Sequence, residues 1–294
     1  MRWRSPLHRL ALAGGLATLL TGLLGFTPGG LLADNHPNTP ECRRPGVDTV
    51  LRVADRGAPG GRRAVWVHRP PGADRADLPV LYLLHGYPGG ADALRASGLG
   101  TLLDRLMCST AQPFVVVAPD GNASDGSDTE WGDAADGRFA IETFLLRTLI
   151  PRVEGPTRRP ARLRAIGGFS MGGYGATALA LRHPDAFSQV ASFGGYFRVD
   201  DPDGTFADPT EHDPDDLVDL PAARRLRFFL AEGRDDQAAL TEGSIHGETD
   251  RFAALLHAHR ITVLAAHPPG GHGTDAWYAA MPAAVGFLVA GWRR

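Results

Sequence analysis

Lysine is absent: all 30 basic residues of this 294-residue chain are arginine, and they are interspersed among 33 acidic ones. A formal net charge of −3 gives no basic field for nucleic acid or an anionic membrane, and those partner classes are set aside. Cysteine is nearly absent too. Cys42 and Cys108 are the only two, and neither has the His or Gly surroundings of a thiol nucleophile. No repeat recurs at a fixed period. With 43% hydrophobic residues the composition is neither fibrous nor disordered, and the length suffices for one large α/β domain or two small ones.

The first apolar run follows Arg2, Arg4 and Arg9, extends from Leu10 to about Phe26, and leads to a small-residue exit near Leu31, Leu32 and Ala33. This pattern predicts a signal peptide over residues 1–33; the alternative is an uncleaved anchor, since a spanning helix needs only about 20 apolar residues. Either way the rest of the chain is expected to be secreted or held in the cell envelope. In that compartment a Cys42–Cys108 disulfide is expected. Residues 34–46 are polar and Pro-rich and read as a linker to a single domain over 47–294.

Two strand-like runs, "DTVLRVADR" and "RRAVWVHRP", flank "GAPGG" and predict an antiparallel hairpin. Beyond it, apolar strand runs ("LPVLYLLHG", "FVVVAPDG", "LRAIGGFS", "QVASFGG", "LRFFLAEG", "ITVLAAHPP") alternate with helical stretches. The helices are read as "ADALRASGLGTLLDRLM", "FAIETFLLRTLIPRVE", "GGYGATALALRHP", "DRFAALLHAHR" and "AWYAAMPAAVGFLVAGW". The alternation predicts an α/β fold with a mostly parallel sheet and helices on both faces. Insertions at 121–138 and 198–221 follow strand ends, which places them over the carboxyl edge where such sheets bind ligands.

Ser170 lies between the strand "LRAIGGF" and the helix that follows, within Gly168-Phe169-Ser170-Met171-Gly172. So sharp a strand-to-helix turn strains its central residue, and neighbouring side chains would collide unless they were hydrogen atoms. This is the G-x-S-x-G elbow, which lifts a serine hydroxyl above the sheet edge. A phosphate loop is the rival, but no Lys follows and the Walker spacing is missing.

A serine hydroxyl needs a base, and the base needs an orienting acid, in the chain order Ser, acid, His. His272, in "PPGGHGTDAW", is the candidate base. Asp235 and Asp236, in "AEGRDDQ", are both candidates for the acid. Glu232 reads as an ordinary loop carboxylate and Asp275 as a helix N-cap. His183, His257 and His259 are assigned solvated or packing roles, and His85 a loop-fixing role; His267 closes a strand and His246 stays open. A tetrahedral oxyanion needs donors, expected from the N–H groups of Met171 and of Tyr87 in "HGYPGG". Trp131 is a candidate for lining the substrate site or for anchoring its loop. The acidic positions Asp125, Asp128, Glu130, Asp133 and Asp136 lack EF-hand spacing and are expected to form a solvated loop, with no metal and no cofactor.

The segments "LPVLYLLHGYPGG", "VVVAPDGN", "IGGFSMGGYGATALALRHPDAF", "ASFGGYF" and "PPGGH" resemble the esterase D-like α/β-hydrolases. That group includes S-formylglutathione hydrolases, feruloyl and acetyl-xylan esterases, and secreted mycolyltransferases. The resemblance runs from about residue 48 to the C-terminus. It implies an α/β-hydrolase fold, Ser170 as nucleophile, His272 as base and, from the fourth place of "GRDD", Asp236 as acid. It implies a small-molecule, glycan or lipid ester substrate, with hydrolysis or transfer to a sugar hydroxyl as the outcome, and no specific protein partner. A non-catalytic binding scaffold is the rival from another class. Thr274 stands where relatives carry an aromatic, and Trp277 supplies a later one.

Overall fold

A computed structural model describes residues 44–70, 77–155 and 159–294. The strands β1 (Val47–Ala54) and β2 (Arg62–Arg69) pair antiparallel, with Val47 opposite Arg69 and Ala54 opposite Arg62. The turn between them uses Gly60 and Gly61 at φ 65° and 70°, a region open to glycine without a Cβ clash. The remaining strands are β3 (Val80–Leu84), β4 (Val115–Pro119), β5 (Arg164–Phe169), β6 (Gln189–Phe193), β7 (Arg227–Ala231) and β8 (Thr262–Ala266). Their order across the sheet is β1-β2-β4-β3-β5-β6-β7-β8, antiparallel up to the β2–β4 pair and parallel from there to β8.

Side chains alternate across a strand, and the central strands use both faces. Val80, Tyr82 and Leu84 share one core layer with Val117, Ile166, Val190 and Phe228. Leu81 and Leu83 share the other with Val116, Ala165, Phe193 and Phe229. The second layer is closed by α1 (Ala91–Ala96), α2 (Leu99–Thr110) and the long C-terminal helix. The first is closed by α3 (Ile141–Thr143), α4 (Ile150–Glu154), α5 (Met171–Arg182) and α7 (Glu248–Ala258). A short α6 (Pro214–Leu217) lies in the second insertion, and α8 (Thr274–Trp292) ends the chain. Each fully buried Val, Leu or Phe contributes about 1.5–3 kcal/mol, so two filled layers hold the strand ends at fixed spacing.

Two helices differ from the single pieces their periodicity predicts. The stretch after β3 is broken at Gly98, whose φ of 80° ends α1 at Ser97 before α2 begins. The stretch at 141–154 contains a π turn at Phe144–Leu149, where the Ile150 N–H reaches back to Leu145 O. Pro151, which has no N–H to give, follows immediately. Helix α8 begins at Thr274 with Gly273 as its cap, so Asp275 sits inside the first turn rather than at the N-cap.

The acidic insertion is not the solvated loop its composition predicts. Thr129, Glu130 and Trp131 are buried, and the second insertion packs on the first. Asp203 Oδ2 accepts from the Asp128 N–H at 2.6 Å, and Ala135 donates to Thr205 O at 2.8 Å. Burial, then the charge of Asp203, pushes Asp128 up to about 6. Burial also drives Glu130 well above the usual carboxylate range, although Tyr196 donates to it at 2.5 Å. Among the described residues no cluster of His, Cys, Asp or Glu is arranged to hold a metal ion.

The described residues all fall within one compact unit. The expected signal peptide or anchor over 1–33, most of the linker and Cys42 lie outside the described residues. Among those described, no helix is long and apolar enough to cross a membrane. Cys108 sits in the last turns of α2.

The N-terminal hairpin is fastened to α2 by buried His68. Its Nδ1 lies 2.8 Å from Asp48 Oδ1 on β1, and its Nε2 lies 3.0 Å from Asp104 Oδ1 on α2. Burial works against the imidazolium, but the two carboxylates outweigh it and the pKa is raised above 6.5. A raised folded pKa gives stability that is complete below the unfolded value of about 6.5 and is lost as pH climbs through the folded value. The Tm difference between the native chain and His68→Gln is therefore expected to be largest near pH 6 and to shrink by pH 8.5. Thermal melts across that range test this, and a difference that stayed constant with pH would mean that the ion pairing contributes nothing.

Candidate active site

Ser170 caps α5 directly after β5, with φ 54° and ψ −121°, a positive φ that side-chain-bearing residues rarely adopt. The glycines around it are required by close approach. A Cβ on Gly172 would stand 2.3 Å from Leu84 O, and one on Gly168 would stand 2.3 Å from Gly172 O. The elbow is thus pressed against the end of β3 as well as being tightly turned.

The parallel order of β5, β6, β7 and β8 delivers the partners. The loop after β7 and the loop after β8 are stitched together by Arg234 N–H to Pro268 O and Asp235 N–H to Gly270 O, both at 2.9 Å. Gly233 permits this contact, since a Cβ there would stand 2.3 Å from Gly271 O. His272 Nε2 lies 2.8 Å from Ser170 Oγ, and its Nδ1 lies 2.8 Å from Asp236 Oδ2. Asp236 is fully buried, and its other oxygen accepts the Ala238 N–H at 3.0 Å. A carboxylate can only accept, so Nδ1 carries the ring proton and Nε2 is left to take the serine proton. Asp235 is exposed and faces solvent. Behind the base, Trp277 sets its ring edge-on to His272 at 5.2 Å between centroids and stacks on Phe169 at 5.1 Å.

Tyr87, in the loop after β3, lines the cleft beside Ser170, and Met171 directly follows the serine. Met171 opens α5, and the Gly86 backbone is close enough to Ser170 that a Cβ there would stand 3.0 Å from the serine Cβ. Around Ser170 and His272 a cleft of about 350 Å³ runs between α1 and α8, with Ala93, Leu94, Phe169, Trp277 and Tyr278 among its walls. Ser97, at the end of α1, donates to Leu94 O and meets the Tyr278 hydroxyl across it.

Residues 57–288 match the family model described as "Putative esterase". The chain belongs to this esterase family. It is 33% identical over 161 residues to "Putative esterase NocK" of Nocardia uniformis subsp. tsuyamanensis, a match covering 53% of this chain and 45% of that protein. Among solved structures it resembles a ferulic acid esterase, with TM-score 0.70, 23% identity and coverage of 84% of this chain and 99% of the other. An S-formylglutathione hydrolase from Agrobacterium tumefaciens gives TM-score 0.67 at 19% identity, covering 83% and 95%. These likenesses establish the α/β-hydrolase architecture. The chain spans less than half the length of the curated relative.

In this esterase-family chain Trp131 is not a wall of the cleft, which corrects its candidacy for substrate binding. It is buried, donates from Nε1 to His85 O at 3.1 Å, and packs so tightly on Gly121 and Gly175 that a Cβ on either would stand 2.6 Å or less from it. It anchors the first insertion to β3. His85 serves the same joint. Its Nε2 accepts the Gly121 N–H at 2.7 Å, its Nδ1 meets Gly86 O, and burial lowers its pKa. Glu232 is buried rather than a free loop carboxylate: it accepts the Gly247 and Thr249 N–H groups at the start of α7. His183 pairs with Glu142, His267 with Asp250, and His259 lies near Asp219, all away from Ser170. The sequence pattern did not reveal Leu94, Ser97 and Tyr278. The last stands next to Trp277 on α8, one turn after Thr274, where helical periodicity could have indicated it.

Proposed function

We propose that the chain is an exported serine esterase that cleaves carboxylic esters through an acyl-enzyme on Ser170. His272 Nε2 removes the Ser170 proton as Oγ attacks the ester carbonyl, and the N–H groups of Met171 and Tyr87 hold the oxyanion. The imidazolium then gives its proton to the departing alcohol, while Asp236 holds the ring in one tautomer and offsets its charge. Water, deprotonated by the same nitrogen, releases the acid. The apolar cleft fits the acyl part. Export rests on the basic and apolar N-terminal pattern, and a Cys42–Cys108 bridge fits that compartment.

The observation that carries this reading is the unbroken chain from Ser170 Oγ to His272 to Asp236, each link 2.8 Å, at a strained elbow. A non-catalytic scaffold has no use for that strain. A fluorophosphonate probe is expected to label the native protein and to leave Ser170→Ala unlabelled. Equal labelling of both would remove the proposal.

A further inference from the structure

The apolar cleft beside Ser170 has a closed end. Its two long walls are helices that both start at the catalytic side: α1 follows the Tyr87 loop, and α8 begins two residues after His272. Ala93, Leu94 and Ser97 line the cleft from the first, and Thr274, Trp277 and Tyr278 from the second. Among the described residues, none further along either helix reaches it. At about 1.5 Å of rise per residue, four residues carry each wall only about 6 Å from its first lining position to its last. There the walls are joined, because the two last lining residues, Ser97 and Tyr278, bond to each other.

We infer that the Ser97–Tyr278 bond is a clasp that sets the acyl-length limit of this chain, admitting linear acyl groups up to the size of a butyryl or hexanoyl group and excluding fatty acyl chains. The inference rests on the esterase reading of Ser170. The Ser97 hydroxyl has one proton and gives it to Leu94 O at 2.7 Å, so the Tyr278 phenol donates to Ser97 Oγ. The Ser97 N–H bonds the same carbonyl at 3.3 Å, which fixes the serine at the end of α1. On the other side the Tyr278 ring lies 6.4 Å from Phe169, which itself stacks on Trp277. Burial raises the Tyr278 pKa above its usual 10, so the phenol keeps its proton at neutral pH. Ser97 is exposed and Tyr278 half-buried, so a chain that fills the cleft meets both directly.

A longer chain has two courses. It parts the clasp and leaves the phenol O–H over apolar surface without a partner, or it leaves the cleft and exposes its remaining methylenes to water. Both courses end the gain of roughly fourfold in kcat/KM that each methylene buried nearer Ser170 contributes.

The test is kcat/KM for p-nitrophenyl acetate, butyrate, hexanoate and decanoate, each below the concentration at which it aggregates. In the native chain efficiency is expected to rise up to butyrate or hexanoate and then to fall by about tenfold or more at decanoate. Tyr278→Ala, which removes the clasp and its ring, is expected to raise the decanoate to butyrate ratio by about tenfold. Tyr278→Phe and Ser97→Ala, which remove only the bond, are expected to raise it by about threefold. Both esters are measured on one preparation, so partial unfolding lowers both rates and leaves the ratio intact; if Tyr278→Ala does not fold, the other two variants decide. Efficiency that keeps rising through decanoate in the native chain overturns the inference, and so does a ratio that none of the variants changes. In either case butyrate is still cleaved and the esterase reading stands. If no ester is cleaved and the fluorophosphonate probe does not react, that reading falls and the clasp with it.

Discussion

Asp236→Asn is expected to lower kcat on p-nitrophenyl butyrate by about 10⁴, while Asp235→Asn stays within about twofold. The two residues are adjacent and chemically identical, so the contrast isolates geometry. Asp236 is buried against His272 Nδ1 at 2.8 Å, whereas Asp235 is exposed and contributes only its backbone to the loop. An asparagine at 236 presents an amide N–H to Nδ1, which turns that nitrogen into an acceptor and moves the ring proton to Nε2. The base is then occupied before reaction begins. Ser170→Ala and His272→Ala are each expected to cost about as much as their double variant, because residues that act as one relay are not additive. Steady-state rates with circular dichroism on the same samples check both statements. Equal losses at 235 and 236 would show that the loop, rather than the carboxylate, matters.

The sheet was legible because its strands are short apolar runs bounded by glycine and proline, and the elbow because few other turns need glycine on both sides of a serine. Choosing between Asp235 and Asp236 was not a local matter. It depends on how the loop after β7 is stitched to the loop after β8 through Pro268 and Gly270, contacts separated by more than thirty residues. Trp131 and Glu130 were opaque for a similar reason. Their neighbours in sequence are acidic and small, and the groups that bury them are distant in the chain: His85 and Gly175 against Trp131, and Tyr196 against Glu130. The break at Gly98 was hidden because apolar spacing persists across it, although a positive-φ glycine after a Ser is a local signal that could have been read. The walls of the cleft come from helices whose apolar faces look like ordinary core in sequence.

Gly172→Ala is expected to destabilise the fold by about 4 kcal/mol or more, lowering Tm by about 10 °C or leaving the protein insoluble. The added Cβ would stand 2.3 Å from Leu84 O and 2.7 Å from His85 O. Neither carbonyl can retreat freely. Their strand is paired on both sides, with Val80 against Val115 on β4 and Leu84 against Gly168 on β5. Any shift that relieves the contact also moves Ser170 away from His272, so stability and labelling by a fluorophosphonate are expected to fall together. The same substitution at Gly286, inside α8 with open space around its Cβ position, is expected to raise stability by about 0.5–1 kcal/mol. One added methyl group thus has opposite signs at two glycines, and the reason is what each Cβ meets. Thermal melts of the two variants would decide it: an unchanged Tm in Gly172→Ala would mean that the elbow is not pressed against β3 and that close approach is not what requires glycine on both sides of Ser170.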